Sequence, residues 1–252
     1  MAVLRKYALA IDSILILLTA TLMATLLHEG AHYATALSFG LKAEMHHNYV
    51  LVANYDTLRQ KIIVASAGPL FSLVLGLISL LIAALIRPER LTKLFFNWLG
   101  IIGFLGFFGY MMIAPIVHTG DTGFVLQALN VPEWLQILTA LLSIAIFILF
   151  LYKMAPRFAA YKSAGTFDKM ETANQLFTFP IYALVIFGTL LNLPAPYWES
   201  LLPSICVPFS FFTIFGGYKK MAISNPPASI ETIPVPLVAL TLLVIAVFRI
   251  MV

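Results

Sequence analysis

Seven apolar stretches, at about 8–39, 61–86, 94–117, 133–153, 176–192, 198–215 and 234–251, alternate with polar connections along the chain. They emerge from a window of about 19 residues, and at about 1.5 Å per helical residue each is long enough to cross a bilayer, the fifth only just. Pro203 and Pro208 interrupt the sixth, which predicts a kinked, re-entrant or incomplete span there. The longest connections, 40–60, 154–175 and 216–233, run to about twenty residues, so no soluble domain of useful size fits between the spans. No internal repeat is visible. The pattern predicts an all-α polytopic membrane protein with about six to seven transmembrane helices. The first stretch is far longer than the apolar core of a secretory signal and reads as a retained span.

Three connections carry structure of their own. Tyr49-Val50-Leu51-Val52-Ala53-Asn54-Tyr55 is β-prone and too short to span as a helix, which predicts a short hairpin at or dipping into the membrane after the first helix. Residues 118–132 place two glycines and an aspartate directly after the third span, and 216–233 reads as a polar loop full of breakers.

Composition agrees with the pattern. Of 252 residues 61% are hydrophobic and 10% charged, well away from a soluble domain. The single cysteine, Cys206, excludes an intrachain disulfide framework and a multi-cysteine zinc site. The net charge of +4 comes without a basic cluster interleaved with aromatics, so nucleic acid is not an expected partner. With seven spans the Lys and Arg divide eleven to four in favour of the side holding the amino terminus, which points to a cytoplasmic amino terminus.

Candidate chemistry lies within the first span. His28-Glu29-Gly30-Ala31-His32 is H-E-x-x-H, and on a helix residues i and i+4 share a face, so both imidazoles can address one metal ion. Glu29 beside them is placed to take a proton from a water that the metal activates. Ionisable groups at this depth are expensive and normally mark a functional site. A catalytic zinc site typically needs a third protein ligand and one open position. Asp12 lies more than four turns away on the same helix, while Asp56 and Asp168 fall in connections. Asp121, at the end of a third span parallel to the first, has a route to the histidines, and His118 competes with it. His46 and His47 read as polar hairpin residues. Gly100, Gly103, Gly106 and Gly109 allow a close helix approach, either of the third span to the first or as ordinary packing.

With these segments the chain resembles the site-2 protease family of intramembrane zinc metalloproteases. The resemblance covers residues 20–132 and is carried by LLHEGAHYATALSFG at 26–40, RQKIIVASAGPLFSLVLG at 59–76 and HTGDTGFVLQALNVP at 118–132. It implies that His28, His32 and Asp121 hold Zn2+, that Glu29 activates water, and that residues 43–58 form a hairpin offering a strand edge to an unwound substrate. It further implies a metalloprotease core over 1–132 with additional helices over 133–252. The expected activity is an endopeptidase acting on membrane-protein substrates, single-span or signal-peptide-like, in the lipid bilayer of the cell membrane. The chain departs from the family pattern in Gly120-Asp121-Thr122-Gly123, where Leu-Asp-Gly is usual, and in Ser72, where an asparagine is usual. Relatives in bacteria place zinc nearer the cytosolic face, whereas the charge count puts the carboxyl end of the first span outside. Two rivals are a transporter that binds or relays ions through the His/Glu cluster and a catalytically inactive relative acting as a scaffold.

Overall fold

The computed structural model describes residues 5–163, 167–194, 201–223 and 226–251. Among the described residues five helices are long and apolar enough to cross a membrane: α1 Ala8–Ser38, α2 Leu58–Leu85, α3 Leu91–Ile113, α5 extending over Glu133–Phe158, and α6 Lys169–Leu191. A short helix α4, Asp121–Ala128, lies between α3 and α5. The sixth apolar stretch is broken, as its prolines predict, into α7 Leu202–Cys206, a 3-10 turn Val207–Phe211, and α8 Phe212–Lys220. The first three residues of that stretch, 198–200, lie outside the described residues. The last helix, α9 Val235–Ile250, has 16 residues, or about 24 Å of rise.

Contacts at the two ends of the bundle show how these rods alternate. At one end Lys6 pairs with Glu171 at 3.2 Å, Arg5 pairs with Glu231, and the Tyr161 hydroxyl donates to Arg90 O at 2.9 Å. Lys169 Nζ donates there to Lys219 O and Met221 O, both at 2.6 Å. Here too β3 Tyr161–Ser163 pairs in parallel with β4 Ala228–Ile230. These strands fall in connections expected to be loops, and three-residue strands leave no periodic trace in the sequence. At the other end β1 Ala43–Met45 and β2 Val50–Val52 form the expected antiparallel hairpin. Its turn is tied to late segments of the chain. His47 N donates to Met251 O at 3.1 Å, Asn48 Nδ2 donates to Asn192 Oδ1 at 3.2 Å, and Arg249 Nη1 reaches the carbonyls of Leu191 and Leu193.

α1 is the centre of the bundle, with 61% of its most apolar window buried against 28% for α5. It packs on α2, α3, α6 and α9. Thr19 and Thr241 meet at 2.8 Å between α1 and α9, satisfying two hydroxyls that lipid could not. One continuous core runs from Ala8 to Phe248, with Trp98, Phe158, Phe177, Phe211 and Tyr218 at its aromatic heart. Outward, α2 exposes Leu70, Val74, Leu77, Ile78 and Leu81, and α5 exposes Leu141, Leu142, Ile146 and Leu149, apolar faces suited to lipid.

Of the two uses open to the glycines of α3, approach to the first span or ordinary packing, the structure shows packing on the second span. A Cβ on Gly103 would lie 2.6 Å from Gly76 N and 2.7 Å from Ser72 O, and one on Gly106 would lie 2.8 Å from Ser72 Oγ. These glycines therefore press α3 against α2 instead of α1, and their close approach seats Ser72 between the two helices.

Candidate metal centre

His28 and His32 project from one face of α1, four residues apart, and each residue is only 6% exposed. The Val64 carbonyl on α2 lies 2.7 Å from His32 Nδ1. A carbonyl only accepts, so Nδ1 carries the proton and Nε2 turns its lone pair inward. His28 Nδ1 sits 2.9 Å from Ser72 Oγ, which holds the orientation of the second ring and, as acceptor from Nδ1, leaves Nε2 free. Val64 and Ser72 are about two turns apart on α2 and bracket the two histidines, which lie one turn apart on the crossing helix.

Asp121 arrives from the loop after α3. It is the first residue of α4, with extended Gly120 at the N-cap, and a carboxylate in a first helical turn is favoured by the helix dipole. Gly123 makes the reversal possible, because a Cβ there would run into the Val117 carbonyl. Sequence reading expected a loop at this point; the helix is too short and too polar to register as a period. Asp121 Oδ2 stands 3.1 Å from Nε2 of both His28 and His32, and the two Nε2 atoms are 3.2 Å apart. Three acceptor atoms converging this closely, with the other ring nitrogens committed elsewhere, are arranged for a shared cation. Among the described residues this buried group is the cluster able to hold a metal ion.

Gly68 completes the cradle. A Cβ at this position would lie 2.6 Å from His28 Nε2 and closer still to His32 Nε2, in the space a shared ion needs. Only glycine leaves that space free. Its segment, RQKIIVASAGPLFSLVLG, carried part of the resemblance, but the task of the glycine becomes visible only when α2 crosses α1. Gly68→Ala should weaken metal binding at least about tenfold, comparable to losing a group that orients metal ligands, in a competition titration against a chelator. Unchanged affinity would show that the ion does not sit against α2.

Glu29 is 6% exposed and lines a cavity of about 520 Å³ together with His32, Asp121, Tyr110, Tyr49 and Val52. The cavity thus joins the three-atom cluster to β2. Tyr110, near the end of α3, stacks on His28 with ring centroids 5.1 Å apart and an interplanar angle of 9°, and it lines the cavity beside Asp121. Nothing in the sequence marked it. Lys61 lies over the Phe124 ring at 4.3 Å on the same wall.

The remaining acidic and imidazole candidates stand elsewhere. His118 is exposed on the cavity wall and outside the cluster. His46 stacks on Tyr49 and His47 packs edge-on to Phe248 in the hairpin turn. Asp168 caps α6 by accepting from Met170 N and Glu171 N, and Asp56 accepts from Gln60 beside the cap of α2. Asp12 is wholly buried in α1.

No protein-family model, no curated protein and no solved structure matches this chain.

Proposed function

We propose that the chain is a zinc-dependent intramembrane endopeptidase of the site-2 protease type, cutting peptide bonds within or near transmembrane segments of membrane proteins. The observation that carries the proposal is the triangle of ligand atoms, with sides of 3.1, 3.1 and 3.2 Å, set beside Glu29. Bonds of about 2.0–2.1 Å at tetrahedral angles place zinc ligands about 3.3 Å apart, so two histidines and one carboxylate here match a zinc ion with its fourth position open. Zinc bound there would polarise a carbonyl and bring the pKa of water close to neutrality.

The residues of the chain do the rest. Ser72 and the Val64 carbonyl orient the imidazoles, and Gly68 keeps the space between them clear. Glu29 takes a proton from the attacking water at its carboxylate and carries it to the departing amine. The edge of β2 that does not pair with β1 faces the same cavity through Val50 and Val52. An unwound substrate segment can satisfy its backbone groups on that edge, which a transmembrane helix needs once its own hydrogen bonds open. The proposed core is α1 to α4 with the hairpin, and the proposed setting is multi-pass in the cell membrane.

Purified protein should carry about one zinc per chain and cleave members of a panel of single-span and signal-peptide-like substrates. A chelator should stop the cleavage and added zinc should restore it. Full zinc loading with no cleavage across the panel would point to a scaffold, and activity untouched by complete metal removal would reject the mechanism.

A further inference from the structure

Tyr110 is placed by features that the proposed chemistry does not yet use. It sits one helix away from the histidines, stacks face to face on His28 and lines the cavity with Glu29 and Asp121. Its phenol offers an O–H donor, whereas the groups immediately around the cluster are lone-pair donors: two Nε2 atoms, Oδ2 of Asp121 and the Glu29 carboxylate. A site that builds negative charge on a substrate oxygen needs a hydrogen-bond donor aimed at that oxygen, held rigidly and shielded from bulk water. Stacking on a ring whose own nitrogen is fixed by Ser72 gives Tyr110 that rigidity.

Resting on the peptidase reading, we infer that Tyr110 is a catalytic residue whose hydroxyl donates a hydrogen bond to the oxygen of the scissile carbonyl as it becomes an oxyanion. The bonds balance as follows. The oxygen of water adds to the carbonyl carbon, one water proton passes to Glu29, and the π pair of the carbonyl moves onto its oxygen, which accepts from Tyr110. When that pair returns, the C–N bond breaks and the nitrogen leaves with the proton from Glu29. The second water hydrogen stays on the new carboxyl group. The second phenol near Asp121 is Tyr55, which follows β2 and lies under the Lys61 ammonium at 5.9 Å, outside the stack.

The test compares zinc-loaded wild type with Tyr110→Phe, which keeps the ring stack and removes only the donor. Zinc content should be unchanged. The kcat should fall roughly 10²–10³-fold with little change in KM, the loss usual for one oxyanion donor. Independently of turnover, a phosphinic peptide carrying a tetrahedral anion in place of the scissile bond should bind the variant at least about tenfold more weakly by calorimetry. In a Glu29→Gln background the uncleaved substrate should bind equally well with Tyr or Phe at 110. Tyr110→His, which restores a donor and a stacking ring, should recover part of the phosphinic peptide affinity. Loss of zinc in Tyr110→Phe would make the residue a holder of Asp121 and overturn the proposal. So would undiminished kcat and phosphinic peptide affinity, or a loss found in Tyr55→Phe instead. Zinc-loaded wild type that neither cleaves nor binds the phosphinic peptide would instead defeat the peptidase reading on which the inference stands.

Discussion

Glu29→Gln is expected to leave the zinc content of the protein near that of wild type while cleavage falls at least about a hundredfold. Glutamine is almost isosteric with glutamate, and Glu29 is outside the three-residue group that could hold the ion, so neither packing nor metal binding should suffer. What disappears is a carboxylate able to accept a proton, and general-base assistance is worth about 10²–10⁴ in rate. Metal analysis of the purified variant and single-turnover cleavage of a substrate cut by wild type give the two readings. A zinc-loaded Glu29→Gln protein that turns over at the wild-type rate would remove Glu29 from the mechanism.

Asp121→Asn should have the other large effect, this time on the metal itself. The amide keeps the shape and one oxygen but gives up the charge that two neutral imidazoles cannot supply. Zinc affinity should fall by more than the roughly 10–100-fold that accompanies loss of an orienting partner, and cleavage should fall with it. His118→Asn should change zinc affinity little, because His118 is exposed and apart from the cluster. Competition against a chelator of known affinity ranks the two variants. The reverse ranking would place the third ligand at His118 and require the loop between α3 and α4 to turn differently.

The sequence carried the positions of the helices because hydrocarbon leaves few alternatives: each long apolar run has to satisfy its own backbone, and Ala8–Ser38, Leu58–Leu85, Leu91–Ile113 and the helix over Glu133–Phe158 follow the apolar limits closely. α6 starts seven residues before its apolar run, at Lys169, because Asp168 caps a polar first turn that hydropathy does not register. The histidine spacing and the β-branched hairpin were also legible, being local. What stayed hidden depends on which helices cross. Gly68 and the Val64 carbonyl acquire their roles from the angle of α2 across α1, as does the contact of Ser72 with His28, and Tyr110 from the seating of α3 on α2. The pairing of β3 with β4 joins connections more than sixty positions apart, and three residues on each side leave too faint a pattern to find.

The hairpin turn bears on how the two halves of the chain communicate. Asn48 holds Asn192, which in turn donates to Gly188 O and Ser204 Oγ, while His47 is bound to Met251 O and packed on Phe248. The hairpin whose strand lines the cavity is therefore anchored at its turn to α7, α9 and the end of α6, so the helices after residue 132 act as its mounting. A ligand, lipid or partner gripping Asn192 or Arg249 would act on that mounting from a distance, a handle on the cavity that leaves His28, His32 and Asp121 untouched.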